Sequence, residues 1–325
     1  MLRYIARKLL QKLAVLYIIT NFVFLIPRLA PGSPIDYLVE NPRVPPEVRQ
    51  ELLRKFGLDR PIFPDQYVEF LKGLVRLDFG YSFTYQSPVF EVIEERLWWS
   101  ILLVGSALLL SALIGTYLGM IAAWYRGRVR DYALTLSTLF VRSLPVFWVG
   151  MLLLLFFSYK LGWFPTGGAT TPGETYENVL DRVADVLHHL ALPLTAIVPV
   201  FTARYLMVMR NTMVDVMGED YVVVAKAKGL SDRLIMWKHA ARTALLPLVT
   251  MLSIDVGAIM GGAVITETVF SYPGVGLLIY EAVLNHDYPL ILGAFFIISV
   301  VTLASMFVAE LLYAALDPRV RAGEA

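Results

Sequence analysis

The chain has 325 residues, 57% hydrophobic and 17% charged, whereas a soluble domain usually carries about a quarter charged residues; the apolar excess reads as an integral membrane protein. Its 28 basic and 27 acidic residues leave a net charge of +1, so bulk charge suggests no nucleic-acid partner, and what informs is where the charges sit. Cysteine is absent, which excludes disulfides, thiolate metal sites and a cysteine nucleophile.

Six segments approach the roughly 20 apolar residues needed to cross a bilayer: 9–29, 98–124, 132–158, 186–208, 244–267 and 291–315. All are expected to be helices, which makes the fold an all-α polytopic one. Arg3, Arg7, Lys8 and Lys12 precede the first, and no small-residue cleavage site follows it, so residues 1–29 read as an uncleaved span with its leader. The segment 30–96 carries apolar residues at helical spacing (Val48, Leu52, Leu53, Phe56; Tyr67, Phe70, Leu71, Leu74) between Pro and Gly, and predicts a small helical cap. Trp98 and Trp99 then open the second span as interfacial anchors. Gly115-x-x-x-Gly119 and Gly257-x-x-x-Gly261 allow close helix approach, while Pro145 and Pro193 predict kinks. His188 and His189 are adjacent and do not face one point on a helix, so they read as interfacial residues and not as metal ligands.

Lysine and arginine set the orientation. They crowd the N-terminus, the 125–131 turn (Arg126, Arg128, Arg130), the loop 209–243 (Arg210, Lys226, Lys228, Arg233, Lys238, Arg242) and the tail 317–325 (Arg319, Arg321), which are therefore expected to be cytoplasmic. The loops on the other side are acid-leaning, with Glu174, Glu177, Asp181 and Asp185 in one and Glu281 and Asp287 in another.

Within 209–243, Glu219 to Lys228 predicts a short helix: acidic residues in its first turn, lysines near its end, and Gly229 placed for a left-handed C-cap. Ala225, Ala227 and Gly229 give little bulk, so another protein's surface can approach this backbone closely. Glu219-Asp220-Tyr221, Ala225-Lys226-Ala227-Lys228-Gly229-Leu230, His239-Ala240 and Leu245-Leu246-Pro247 together resemble the cytoplasmic coupling loop of ABC-importer permeases, in the version carried by the dipeptide/oligopeptide family. Val223-Val224-Ala225 stands where many permeases have Glu-Ala-Ala, and Pro247 lies later than their proline; the peptide-type branch shares both departures, which argues against a sugar- or phosphate-type assignment. The resemblance extends through Leu29-Ala30-Pro31-Gly32-Ser33-Pro34, Leu77-Asp78-Phe79-Gly80-Tyr81-Ser82, Glu267 to Gly276, Asp287-Tyr288-Pro289 and Leu316 to Arg321, nearly the whole chain. Where relatives have Pro and Thr at the start of the second span, this chain has Trp98-Trp99-Ser100.

The resemblance implies a type I ABC importer permease fold, the B-type subunit of a heterodimer, with the core 97–316 crossing a prokaryotic cell membrane. It also implies the partners: a sister permease, two cytosolic ABC ATPase subunits and an extracytoplasmic solute-binding protein. Glu219, Asp220, Tyr221, Ala225, Lys226, Ala227, Lys228 and Gly229 become the ATPase-coupling helix. Di- or oligopeptides are the implied cargo, with oligosaccharides or nickel as alternatives.

An ionisable group at bilayer depth costs about 2.5–3.5 kcal/mol and asks for a partner or water. At ~1.5 Å per residue, Arg142 and Asp255 both lie roughly 17 Å deep, as an ion pair or along the translocation path; Arg204 and Glu310 fall near the cytoplasmic surface as a second pair. No Gly-x-x-x-x-Gly-Lys-[Ser/Thr] is present, so the chain is not expected to hydrolyse ATP, and no cofactor or metal is expected. An ion-coupled secondary transporter would show internal repeats and a carboxylate relay, and an intramembrane hydrolase a nucleophile with its base at matching depth; neither is visible.

Overall fold

The computed structural model describes residues 2–29, 59–262 and 264–316; the cap stretch Val48 to Phe56 lies outside them. Its elements are α1 (Leu2–Leu29), α2 (Tyr67–Arg76), α3 (Val89–Trp124), α4 (Val129–Ser143), α5 (Val146–Lys160), α6 (Val179–Val216), α7 (Asp220–Ala227), α8 (Ala241–Gly262), α9 (Val264–Val269), α10 (Val275–Leu284) and α11 (Tyr288–Leu316). The described residues contain no strand, only one isolated bridge between Tyr81 and Pro88.

Among the described residues, helices α1, α3, α6 and α11 are each long and apolar enough to cross a membrane, and α4 with α5, bent by 89° at the break between them, passes the same test as a pair. The break explains itself locally. Leu144 is held extended (φ −87°, ψ 129°) because the ring of Pro145 disfavours the helical region for the residue before it, and Pro145 then leads into α5. The kink expected at Pro145 is thus a full interruption. The remaining expected span falls on α8, whose 22 residues reach ~33 Å; residue 263 and most side chains of its second half lie outside the described set.

At 36 and 38 residues, α3 and α6 are longer than the ~30 Å hydrocarbon layer requires, so both run on beyond it. They lie in direct backbone contact. A Cβ at Gly115 would sit 2.5 Å from the Tyr205 Cβ, and one at Gly119 2.6 Å from the Leu206 carbonyl oxygen, so the first small-residue motif does what close helix approach demands. Gly257 and Gly261 fall among residues whose side-chain surroundings are outside the described set.

Two buried clusters mark the ends of the bundle. Met120, Ala123, Met213, Val216, Val222, Ala225, Ile235 and Ala240 pack together at the end carrying the basic segments. Val89, Ile93, Leu278, Leu290 and Ala294 pack at the other. There the described part of the cap is fixed to α1: Phe24 is buried among the rings of Phe63, Tyr67 and Phe70, and the Tyr67 hydroxyl donates to Asn21 Oδ1 at 2.8 Å. Trp98 is exposed at the lip of α3, and Trp99 meets the Tyr272 ring edge-on.

Candidate functional site

The expected coupling helix forms as α7. Glu219 precedes it in extended conformation, and its carbonyl accepts from the N–H groups of Val222 and Val223. At the other end Gly229 adopts φ +72°; its N–H donates to Lys226 O at 2.9 Å, and the Leu230 N–H to Ala225 O at 3.4 Å. This is the paired main-chain closure that a left-handed glycine permits at a helix C-terminus.

The face presented outward differs from the expected one in a single respect. Ala225 is buried together with Val222 in the chain's own core, so it anchors α7 and offers nothing to a partner. Asp220, Tyr221, Val223, Val224, Lys226, Ala227, Lys228 and Gly229 are exposed, Val223 and Val224 half so. The Tyr221 hydroxyl donates to Thr243 Oγ1 at 3.1 Å, tying α7 to the start of α8. An apolar, small-residue ridge flanked by acid at one end and lysines at the other is a surface suited to a complementary groove.

Behind α7 the charges pair in ways the sequence reading did not anticipate. Asp255 takes Arg204 and not Arg142: Arg204 Nη1 donates to Asp255 Oδ1 at 2.7 Å, and the Tyr205 hydroxyl to Oδ2 at 2.9 Å. Glu310 takes Lys12 at 2.8 Å and Lys8 at 3.6 Å, because α1 packs along α11. Arg142 is exposed at the end of α4, next to the break. Depth arithmetic gives a level along a helix but not the side a residue faces, and on that missing coordinate both expected pairs fail.

The sequence reading missed the tightest ion pair among the described residues altogether. Arg210 Nε donates to Asp131 Oδ1 at 2.6 Å and Nη2 to Oδ2 at 2.7 Å, a bidentate pair closed further by the Gly127 N–H on Oδ2 at 3.0 Å. Asp131 is buried. Its signal was in the sequence, as the one acid beside three arginines, but Arg130 and Arg128 lie against the Tyr125 ring and leave the carboxylate to a residue 79 positions away.

At the opposite end, Glu267 is fully buried, its Oε1 accepting from Ser100 Oγ at 2.7 Å and its Oε2 from the Leu277 N–H at 3.0 Å, while Ser100 Oγ accepts from the Val275 N–H. A Cβ at Gly274 would stand 2.3 Å from that carboxyl group, which accounts for the glycine. Asp287, also buried, accepts from Ser82 Oγ at 2.5 Å and the Thr84 N–H at 2.9 Å, and Tyr85 donates to Glu281 at 2.6 Å. Burial, with the Glu281 carboxylate adding to it, pushes the Tyr85 phenol up to about 12. His189 Nδ1 lies 2.9 Å from the Asp185 carbonyl oxygen and His188 Nε2 2.8 Å from that of Trp163. Among the described residues no group of three His, Asp or Glu could hold a metal ion.

Residues 115–322 match the family model described as the binding-protein-dependent transport system inner membrane component, and residues 1–104 match the one for its N-terminal region. The chain is 33% identical over 321 residues to the oligopeptide transport system permease protein AppB of Bacillus subtilis, covering 98% of this chain and 99% of that protein. It is 33% identical over 325 residues to the glutathione transport system permease protein GsiC of Escherichia coli K12, and 32% over 334 to the di/tripeptide transport system permease protein DppB of Pseudomonas aeruginosa, each alignment covering 99% of both chains. Among solved structures, an inward-facing MetNI methionine ABC transporter superposes with a TM-score of 0.51 at 15% identity, covering 70% of this chain and 96% of the other, which bears on the fold alone and agrees with the expected type I permease architecture. From its matched N-terminal region to residue 322, and in relatives alike from end to end, the chain belongs to the family of binding-protein-dependent transport system inner membrane components.

Proposed function

We propose that this chain is the B-type permease subunit of an ATP-driven importer of di- or oligopeptides, working with a sister permease, two cytosolic ABC ATPases and an extracytoplasmic solute-binding protein. The observation that carries the reading is α7: a preformed helix, anchored by Val222 and Ala225, that turns Val223, Val224, Ala227 and Gly229 outward at the end of the bundle. Seated in a groove of an ATPase, it converts closure of that subunit into movement of the spans. Peptide cargo is supported by relatives named for oligopeptide, di/tripeptide and glutathione transport. Clustering of Lys and Arg at the end of the bundle that carries α7 supports cytoplasmic termini.

Arg142 lines the translocation path in this reading. It stands 11 residues along α4 from Asp131, about 16 Å, too far inward to snorkel, and it is exposed where the broken helix frees backbone groups that need water or protein. Asp255 is buried and reaches that path only through Arg204, whose side chain is 49% exposed.

The test is the ATPase activity of the co-expressed complex in nanodiscs, with purified binding protein and a panel of peptides, oligosaccharides and nickel, for wild type and Ala227→Trp. Stimulation by peptide, lost in an Ala227→Trp complex that still assembles, is the expected result. Uptake by the chain alone down an ion gradient would overturn it. Because the chain has no cysteine, Arg142→Cys gives a clean second readout: a charged, water-soluble thiol reagent is expected to label it in the assembled complex, and complete protection removes Arg142 from the path.

A further inference from the structure

We infer that Arg210 and Asp131 form the joint through which α7 moves the broken span α4–α5, an inference that rests on the coupling role proposed above. Three observations lead to it. First, α6 passes into α7 without slack: the Met217 N–H donates to Met213 O at 2.9 Å, Gly218 N–H to Asp215 O at 3.0 Å and Glu219 N–H to Val216 O at 3.1 Å, so a displacement of α7 reaches Arg210, on the last turns of α6, directly. Second, little of α4 besides Asp131 enters the chain's own core. Of its residues only Asp131 and Thr138 are buried, while Tyr132, Leu136, Leu139 and Phe140 are more than half exposed. Third, its far end is the 89° interruption at Leu144-Pro145, where no helical hydrogen bonding carries force across.

Helix α4 is therefore a lever bonded to α6 at one end and hinged on α5 at the other. The bond is of the kind that transmits orientation as well as position. A guanidinium held by two parallel N–H donors to two carboxylate oxygens fixes a plane, which a lysine's point charge cannot do. The Gly127 N–H on Asp131 Oδ2 and the Thr135 hydroxyl at 3.4 Å from Oδ1 leave the carboxylate no other orientation. Arg210 and Asp131 touch neither cargo nor nucleotide in this account; they are positioning residues.

The measurement is cargo delivered per ATP hydrolysed, in proteoliposomes holding the complete importer with its binding protein. It is made for Arg210→Lys, Asp131→Asn and Ala227→Trp, with the melting temperature of each complex recorded alongside. Arg210→Lys, which keeps the charge and loses the fork, is expected to lower the ratio about tenfold in a complex that still assembles and melts near wild type, and Asp131→Asn to lower it at least as far. A wild-type ratio in Arg210→Lys, with Ala227→Trp still abolishing stimulated hydrolysis, overturns the joint and leaves the docking role intact. If Ala227→Trp changes nothing either, the docking role itself falls. Should Asp131→Asn not assemble, Arg210→Lys decides alone.

Discussion

Two glycines show what a missing side chain is for in this chain. Gly115 lets α3 and α6 meet backbone to backbone, and Gly274 makes room for the Glu267 carboxyl group. Gly115→Leu is expected to cost ~1–3 kcal/mol or more through overpacking against Tyr205 and Thr202, read as a lower melting temperature of the purified complex. Glu267→Ala is expected to be worse than Glu267→Gln, because alanine leaves the Ser100 hydroxyl and the Leu277 N–H without an acceptor at about 1–3 kcal/mol each, whereas glutamine keeps one oxygen in place. Equal melting temperatures for the two variants would show that these bonds carry no weight. Tyr85 gives a pH signature. Its folded phenol titrates at about 12, above the unfolded ~10, so the stability its bond to Glu281 supplies is whole below pH ~10 and is lost as pH rises through 12. The stability gap between wild type and Tyr85→Phe is accordingly expected to be flat below pH ~10 and to narrow above it.

Single elements were legible in the sequence to the extent that one helix's own residues determine them. The stop at Gly229 could be read because only glycine takes φ +72° cheaply, and a kink at Pro145, though not the full break, because proline constrains its neighbour. Gly229→Ala isolates that backbone term: nothing stands within 4 Å of the added Cβ, so a loss of ~1 kcal/mol in local stability, measured by hydrogen exchange over 220–230, is the expectation. What could not be read was which way each helix faces. Ala225 turns inward because it shares its side of α7 with Val222, and the composition of the segment alone does not say which side meets the core. The mispaired charges have the same origin, with one addition. Helix α6 runs on to Val216 and does not stop at 208, so the expected inner edge was set too early and put Arg204 at the surface, whereas it stands six residues, about 9 Å, outward of the Arg210–Asp131 level.

At the scale of the whole molecule, the run of apolar segments specifies a bundle before any contact is known, and the distribution of Lys and Arg supports the sidedness proposed for it. The sidedness is open to a direct check. Single cysteines at Lys226 and Glu177 in this cysteine-free chain are expected to react with an impermeant reagent from opposite sides of sealed vesicles, and labelling of both from one side would invert or abolish the proposed topology. What the sequence did not convey at this scale is that the span 132–158 is two rods and that its inner end is clamped to a helix dozens of residues away, since neither a pair distant in sequence nor the angle of a break has a periodic signature.

The closure of α7 by its own main chain has a bearing on turnover. A recognition segment that folds only on its partner must be ordered again at every encounter, which slows engagement and weakens it. Here the Gly229 and Leu230 N–H groups complete the helix, and Val222 and Ala225 root it in the bundle, before any second protein arrives. In the coupling role proposed above, an ATPase meets a finished shape, and the two can part and rejoin through successive nucleotide cycles with the loop's structure unchanged.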